Sequence, residues 1–201
     1  LKGGDMCAAI DVPEGCTLTI SGEGSLKATG GVGAGIGASS MRKGSLGRIE
    51  INGGNIEAYG SGMAAGIGGG LEGGIGTIVI NGGTVYAKGG HGSYPKDIKN
   101  VYGGAGIGGG PFGCVDKIEI NGGNVTAYGG YATNAGRHPG AAIGCGGGGA
   151  KTVEGGYKCG DIAINGGTVS AIAYHNEVYA IGVAELSLIH ISEPTRRSYI
   201  S

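Results

Sequence analysis

Apolar residues fall on every second position in stretches that recur along the chain. They occupy Ile49, Ile51, Ile56 and Ala58, then Ile78, Ile80, Val85 and Ala87. The same places are filled by Ile118, Ile120, Val125 and Ala127, and by Ile162, Ile164, Val169 and Ala171. Polar side chains stand between them, at Glu50, Glu57, Glu119, Thr126 and Ser170. A period of two puts one strand face in a core and the other in solvent. No segment carries a convincing helical period, so the pattern predicts strands throughout.

The stretches belong to an internal repeat. "LTISGEGSLKATGG" starts at 18, "IEINGGNIEAYGS" at 49, "IVINGGTVYAKGG" at 78, "IEINGGNVTAYGG" at 118 and "IAINGGTVSAIAY" at 162. The start-to-start spacings are 31, 29, 40 and 44 residues. Each unit then passes through a variable insert to an apolar-glycine signature. The signatures are "GAGIGA" (33–38), "AAGIGGG" (64–70), "GAGIGGG" (104–110), "GAAIGCG" (140–146) and "YAIGV" (179–183). The opening "CAAIDV" (7–12) reads as the end of an earlier unit, so the chain is expected to begin in mid-repeat.

A unit of this size cannot bury its own apolar face; stacked units can. Each strand then pairs in parallel with its counterpart one coil away, Ile on Ile and Ala on Ala. The expected fold is all-β, a parallel β-helix (β-solenoid) of about five coils over residues 1–185, rising ~4.8 Å per coil. The corners fit this. Asn52, Asn81, Asn121 and Asn165 share one column, each followed by Gly-Gly. Glycine takes a left-handed backbone freely, and stacked Asn side chains form a hydrogen-bonded ladder.

"GAGIGG" at 104–109 also matches the turn that cradles a dinucleotide pyrophosphate. That motif needs a strand before it and a helix after it. Here it recurs in nearly every unit without a helix, so no cofactor is expected. Ile36, Ile67, Ile107, Ile143 and Ile181 instead form a further core column, with glycines that let coils approach closely.

Composition adds little to this and removes some function classes. Of 201 residues 52 are Gly, and 14% are charged, for a formal net charge of −1. No basic block supports nucleic-acid binding through phosphates. No apolar run approaches the ~18 residues of a membrane helix. Five cysteines, Cys7, Cys16, Cys114, Cys145 and Cys159, include no C-x-x-C pair and no zinc-finger spacing to His. Cys145 and Cys159 bracket a glycine-rich loop and read either as a bridge or as small buried thiols.

The repeat stops at Glu185. "LSLIHISEPTR" (186–196) resembles a translated sequencing adaptor, and 186–201 is expected to be non-native; the other reading is an apolar strand capping the last coil.

Function then falls to outward faces and inserts. Tyr59, Lys88 and Tyr128 share one outward column above Thr29, with Tyr86 on the neighbouring column. The inserts 91–104, 131–140 and 147–161 add Tyr94, Tyr102, Tyr131 and Arg137. Exposed Tyr beside polar groups suits a sugar ring, whose apolar face stacks while its hydroxyls bond to neighbours. Tyr also simply favours strands. Catalysis by paired carboxylates draws on Glu50, Glu57 and Glu119. Glu50 and Glu119 share a column roughly 10 Å apart, with Val79 between them. His91, His138 and His175 each stand alone in sequence, and Asp97, Asp116 and Asp161 are scattered, so no metal is expected. "NVT" (124–126) is a glycosylation sequon.

The units "INGGxVxAxGG…GAGIGGG" resemble the glycine-rich repeats of large bacterial cell-surface proteins with adhesin-like or carbohydrate-binding labels. The resemblance spans residues 7–183 and implies a right-handed helix, secreted or attached to the cell wall. It defines no site residues. The leading expectation is a non-catalytic module binding polysaccharide or host glycans. A structural stalk and a fragment of a polysaccharide lyase or hydrolase are the alternatives. Exposed coil edges predict end-to-end self-association.

Overall fold

The computed structural model describes residues 1–42, 47–92, 101–113, 115–132, 137–148, 159–174, 179–182 and 190–191. Every regular element among them is a strand. A short strand, β1 (Ile10–Asp11), precedes the first full coil. That coil holds β2 (Thr17–Ile20), β3 (Ser25–Thr29) and β4 (Ile36–Gly37). The second holds β5 (Arg48–Ile51), β6 (Asn55–Tyr59) and β7 (Ile67–Gly68). The third runs through β8 (Ile75–Ile80), β9 (Thr84–Lys88), β10 (Val101–Tyr102) and β11 (Ile107–Gly108). The fourth runs through β12 (Val115–Ile120), β13 (Asn124–Tyr128), β14 (Arg137–His138) and β15 (Ile143–Gly144). The fifth holds β16 (Cys159–Ile164), β17 (Thr168–Ile172) and β18 (Ile181–Gly182), and β19 (His190–Ile191) follows.

Corresponding strands of successive coils pair in parallel, giving three walls of a parallel β-helix. The first wall is ordered β2-β5-β8-β12-β16-β19, the second β3-β6-β9-β13-β17 and the third β1-β4-β7-β11-β15-β18. The register is that of the repeat: Ile49 on Ile78 and Ile78 on Ile118, Ala58 on Ala87 and Ala87 on Ala127, Ile67 on Ile107 and Ile107 on Ile143. All of these side chains are buried in one apolar cluster. Each buried Ile removes about 1.5–3 kcal/mol worth of apolar surface from water, so the columns carry the fold.

The corners follow from glycine. The second Gly of each Asn-Gly-Gly turn, Gly54, Gly83, Gly123 and Gly167, has φ between 87° and 89°, a region L side chains rarely enter. On the third wall, Gly37, Gly68, Gly108 and Gly144 have φ between 133° and 136°. A Cβ on any of them would overlap the carbonyl oxygen of the corresponding Gly one coil on. The glycine beside each core Ile is therefore a packing requirement as well as a turn.

Asn81 Nδ2 donates to Asn52 Oδ1 at 2.7 Å, Asn121 Nδ2 to Asn81 Oδ1 at 2.8 Å, and Asn165 Nδ2 to Asn121 Oδ1 at 2.8 Å. Cys7, Cys16, Cys145 and Cys159 are thiols, so Cys145 and Cys159 are not bridged; Cys145 is buried. Cys114 lies outside the described residues. Past Glu185, where the repeat ends, His190 and Ile191 pair with Ala163 and Ile164.

Candidate functional site

The outward face of the second wall carries a continuous aromatic stripe. Outward positions alternate with the buried Val/Ile and Ala columns, so the register fixes which side chains meet. Thr29 pairs with Tyr59, Tyr59 with Lys88, Lys88 with Tyr128 and Tyr128 with Ile172. In the adjoining column Lys27 pairs with Glu57, Glu57 with Tyr86 and Tyr86 with Thr126. Tyr86 bridges its neighbours diagonally, with ring centroids 5.6 Å from Tyr59 and 5.4 Å from Tyr128.

The stripe extends past the strand ends. Tyr128 lies 6.0 Å from Tyr174, and Tyr174 lies 6.3 Å from Tyr131 edge-on. His91 closes the group, 6.2 Å from Tyr131 and 6.5 Å from Tyr174. Rings from four successive coils are thereby joined over about 14 Å along the helix axis. Tyr174 is 43% exposed, and the strand tyrosines are half-buried against one another.

Polar groups frame the rings. Lys27 Nζ lies 2.9 Å from Glu57 Oε2 and 5.0 Å from the Tyr59 ring centroid. The Tyr59 hydroxyl donates to Glu57 Oε2 at 3.0 Å. The hydrogen bond from Lys27, with help from Tyr59, holds the Glu57 carboxyl below its ordinary value; the same bond raises Lys27. Burial raises the phenols of Tyr59 and Tyr86. Lys88 Nζ stands 5.8 Å from the Tyr174 ring centroid. Burial, then the charge of Lys88, lowers the His91 pKa. Its Nδ1 accepts the backbone N–H of Tyr131 at 3.3 Å, so the neutral ring carries its proton on Nε2.

A second aromatic group lies where the inserts pair. Gly92 bridges to Ala132, and β10 pairs with β14, placing Tyr102 against His138. Their rings stack at 5.0 Å with an interplanar angle of 15°, and Phe112 meets Tyr102 edge-on at 4.7 Å.

The structure thus joins Tyr59, Tyr86, Lys88, Tyr128 and Tyr131 in one face and sets Tyr102 apart in another. Arg137 pairs through its backbone with Val101; Tyr94, His175 and the side chain of Arg137 lie outside the described residues. Two histidines that stand alone in sequence do not stand alone in space, because the inserts of coils three and four run in parallel. His91 meets Tyr131 and His138 meets Tyr102. Tyr174 escaped the sequence reading. Its signal was there: Tyr174 stands where the preceding unit has Gly130, at the end of the Gly-Gly pair after the strand.

Of the acids, Glu50 is bound by Arg48 at 2.6 Å and Glu119 by Lys117 at 2.7 Å, each on its own strand. Val79 pairs with both and separates them. Among the described residues, no cluster of three or more His, Cys, Asp or Glu could hold a metal ion.

Three parallel walls, stacked Ile columns and an Asn ladder define a parallel β-helical repeat protein. A family model described as a beta helix repeat matches residues 18–40, 49–71, 78–111 and 118–147. These matches cover more than half of the chain, and the chain belongs to that family. No curated protein and no solved structure matches it.

Proposed function

We propose that this β-helix is a non-catalytic carbohydrate-binding module that serves outside the bacterial cell, its ligand lying along the aromatic stripe of the second wall. The carrying observation is the run Tyr59–Tyr86–Tyr128–Tyr174, with successive centroids 5.4–6.0 Å apart. Such a run offers several ring faces in line, and a sugar chain presents apolar ring faces in line. Glu57, Lys88 and His91 border the rings with donors and acceptors for hydroxyls. The scaffold beneath is built of stacked strands, so the rings are held before a ligand arrives, which lowers the entropic cost of binding. Glu50 and Glu119 are each engaged by a cation of their own strand and are kept apart by Val79, which supports binding over hydrolysis by a carboxylate pair.

A glycan array probed with the purified chain tests this. Binding to at least one glycan is expected, with Tyr86→Ala weakening it by roughly five- to thirtyfold, the scale of one lost aromatic stacking contact. Tyr102→Ala, in the separate group, should leave it unchanged. Absence of binding to every glycan would favour a stalk that only spaces other domains. Loss of viscosity of a polysaccharide solution on incubation would favour an enzyme.

A further inference from the structure

The five strands of the second wall present three charged side chains in all: Lys27, Glu57 and Lys88. Lys27 and Glu57 cancel at 2.9 Å. Lys88 has no carboxylate partner among the described residues; its ammonium lies over Tyr174 instead. The other outward residues of the wall are Ser, Thr, Asn, Tyr and Ile. A chain of net charge −1 therefore places in its aromatic stripe, toward Tyr174, one positive charge that no carboxylate of the described residues pairs with. By contrast, the cations Arg48 and Lys117 of the first wall are each paired with a glutamate on their own strand.

An ammonium flanked by rings is partly stripped of water and is attracted to the ring faces. It also selects for an anionic group on whatever stacks there. His91 adds a second donor at the same end. Its Nδ1 is occupied by the Tyr131 N–H, which leaves Nε2–H to donate. We infer that the glycan taken by this face is acidic, with a carboxylate or sulfate bound by Lys88 Nζ at the Tyr128–Tyr174 end of the stripe. This inference rests on the carbohydrate-binding reading and narrows it to uronate-bearing or sulfated chains. The ring of the acidic sugar stacks on Tyr128, and its neighbours run toward Tyr86 and Tyr59.

Calorimetric titration of the full chain with two matched pairs tests the inference. The pairs are oligogalacturonate with its methyl ester, and dextran sulfate with dextran. The first pair reports a carboxylate and the second a sulfate. The acidic member of at least one pair should bind roughly three- to tenfold tighter than its neutral partner, the scale of one partly exposed charge-assisted contact. The gap should shrink as salt is raised, because the screening length shortens. Lys88→Met keeps the stem and should abolish the preference, so that the acidic member of a pair binds no tighter than its neutral partner. Lys88→Arg should restore it, and Lys117→Met on the first wall should change nothing. Equal affinity for acidic and neutral members overturns the inference and leaves the carbohydrate reading standing. An acidic preference that survives Lys88→Met overturns the assignment to Lys88. No binding to any of the four probes overturns the inference, and a blank glycan array overturns the reading beneath it.

Discussion

Replacing Gly108 by Ala probes how tightly the coils are closed. Gly108 has φ +133°, where an L side chain is strained by about 1–3 kcal/mol. A Cβ there would overlap the Gly144 carbonyl oxygen and lie 2.8 Å from its carbon. Both atoms are backbone in the next coil, so no rotamer change relieves the contact. Overpacking of this sort costs about a further 1–3 kcal/mol. Together the two effects remove roughly 2–6 kcal/mol from a fold whose total stability is of order 5–15 kcal/mol. Gly24→Ala is the matched control. Nothing lies within 4 Å of a Cβ at Gly24, and its φ is not left-handed. That change should be neutral, or stabilising by up to about 1 kcal/mol through the unfolded chain. Urea unfolding followed by far-ultraviolet circular dichroism compares the two. Equal midpoints for Gly108→Ala and Gly24→Ala would refute the claim that the third wall is limited by backbone contact.

Further outcomes follow from the same geometry. Asn121→Ala breaks two ladder bonds and Asn52→Ala one; both sites are exposed. Denaturant titration should find the first costing about 1 kcal/mol and the second less. His91 has a lowered pKa in the fold, so the unfolded chain takes up its proton first. Stability from this group is therefore present above its ordinary value of 6.5 and lost as pH falls toward the folded value. Thermal midpoints against pH should show that loss in wild type and not in His91→Gln. Glu57 is also lowered, so its contribution is present above its ordinary value of 4.5 and is lost as pH falls from there toward the folded value. Thiol reagents should label Cys7 and Cys16 promptly in the native protein, and Cys145 only after unfolding, because Cys145 is buried.

The walls were legible in the sequence because each position repeats its chemistry. Ile78 is buried because Ile49 and Ile118 are, and the polar residues next to those two in the neighbouring units, Glu50 and Glu119, show which way it points. The Asn-Gly-Gly corner was legible because one backbone conformation admits few residues. The stripe was legible only where strands carry it. Tyr59, Lys88 and Tyr128 keep step with the Ala column, so their shared face could be counted out. His91, Tyr131 and Tyr174 leave the strands, and their meeting depends on how inserts of unequal length fold back. Sequence spacing aligns Tyr174 with Gly130 of the preceding unit, but it carries no record of the path that brings His91 and Tyr131 to it. Nor does spacing reveal that Arg48 and Lys117 pair with Glu50 and Glu119 while Lys88 meets no carboxylate among the described residues.

The near-identity of the units has a consequence for how the chain finds its register. "IEINGGN" of coil two and "IEINGGN" of coil four are the same seven residues. A strand that skipped a coil would therefore bury the same Ile and Ala side chains and rebuild the same Asn ladder. Its core would hardly register the mistake. The outer face would: skipping coil three removes Tyr86 and Lys88 from between Tyr59 and Tyr128, and separates His91 from Tyr131. Closing a loop of two units costs only slightly more entropy than closing one, so such slips compete during folding. The irregular side chains that distinguish one coil from the next thus act as address labels, and the stripe that reads a ligand also helps the chain count its own turns.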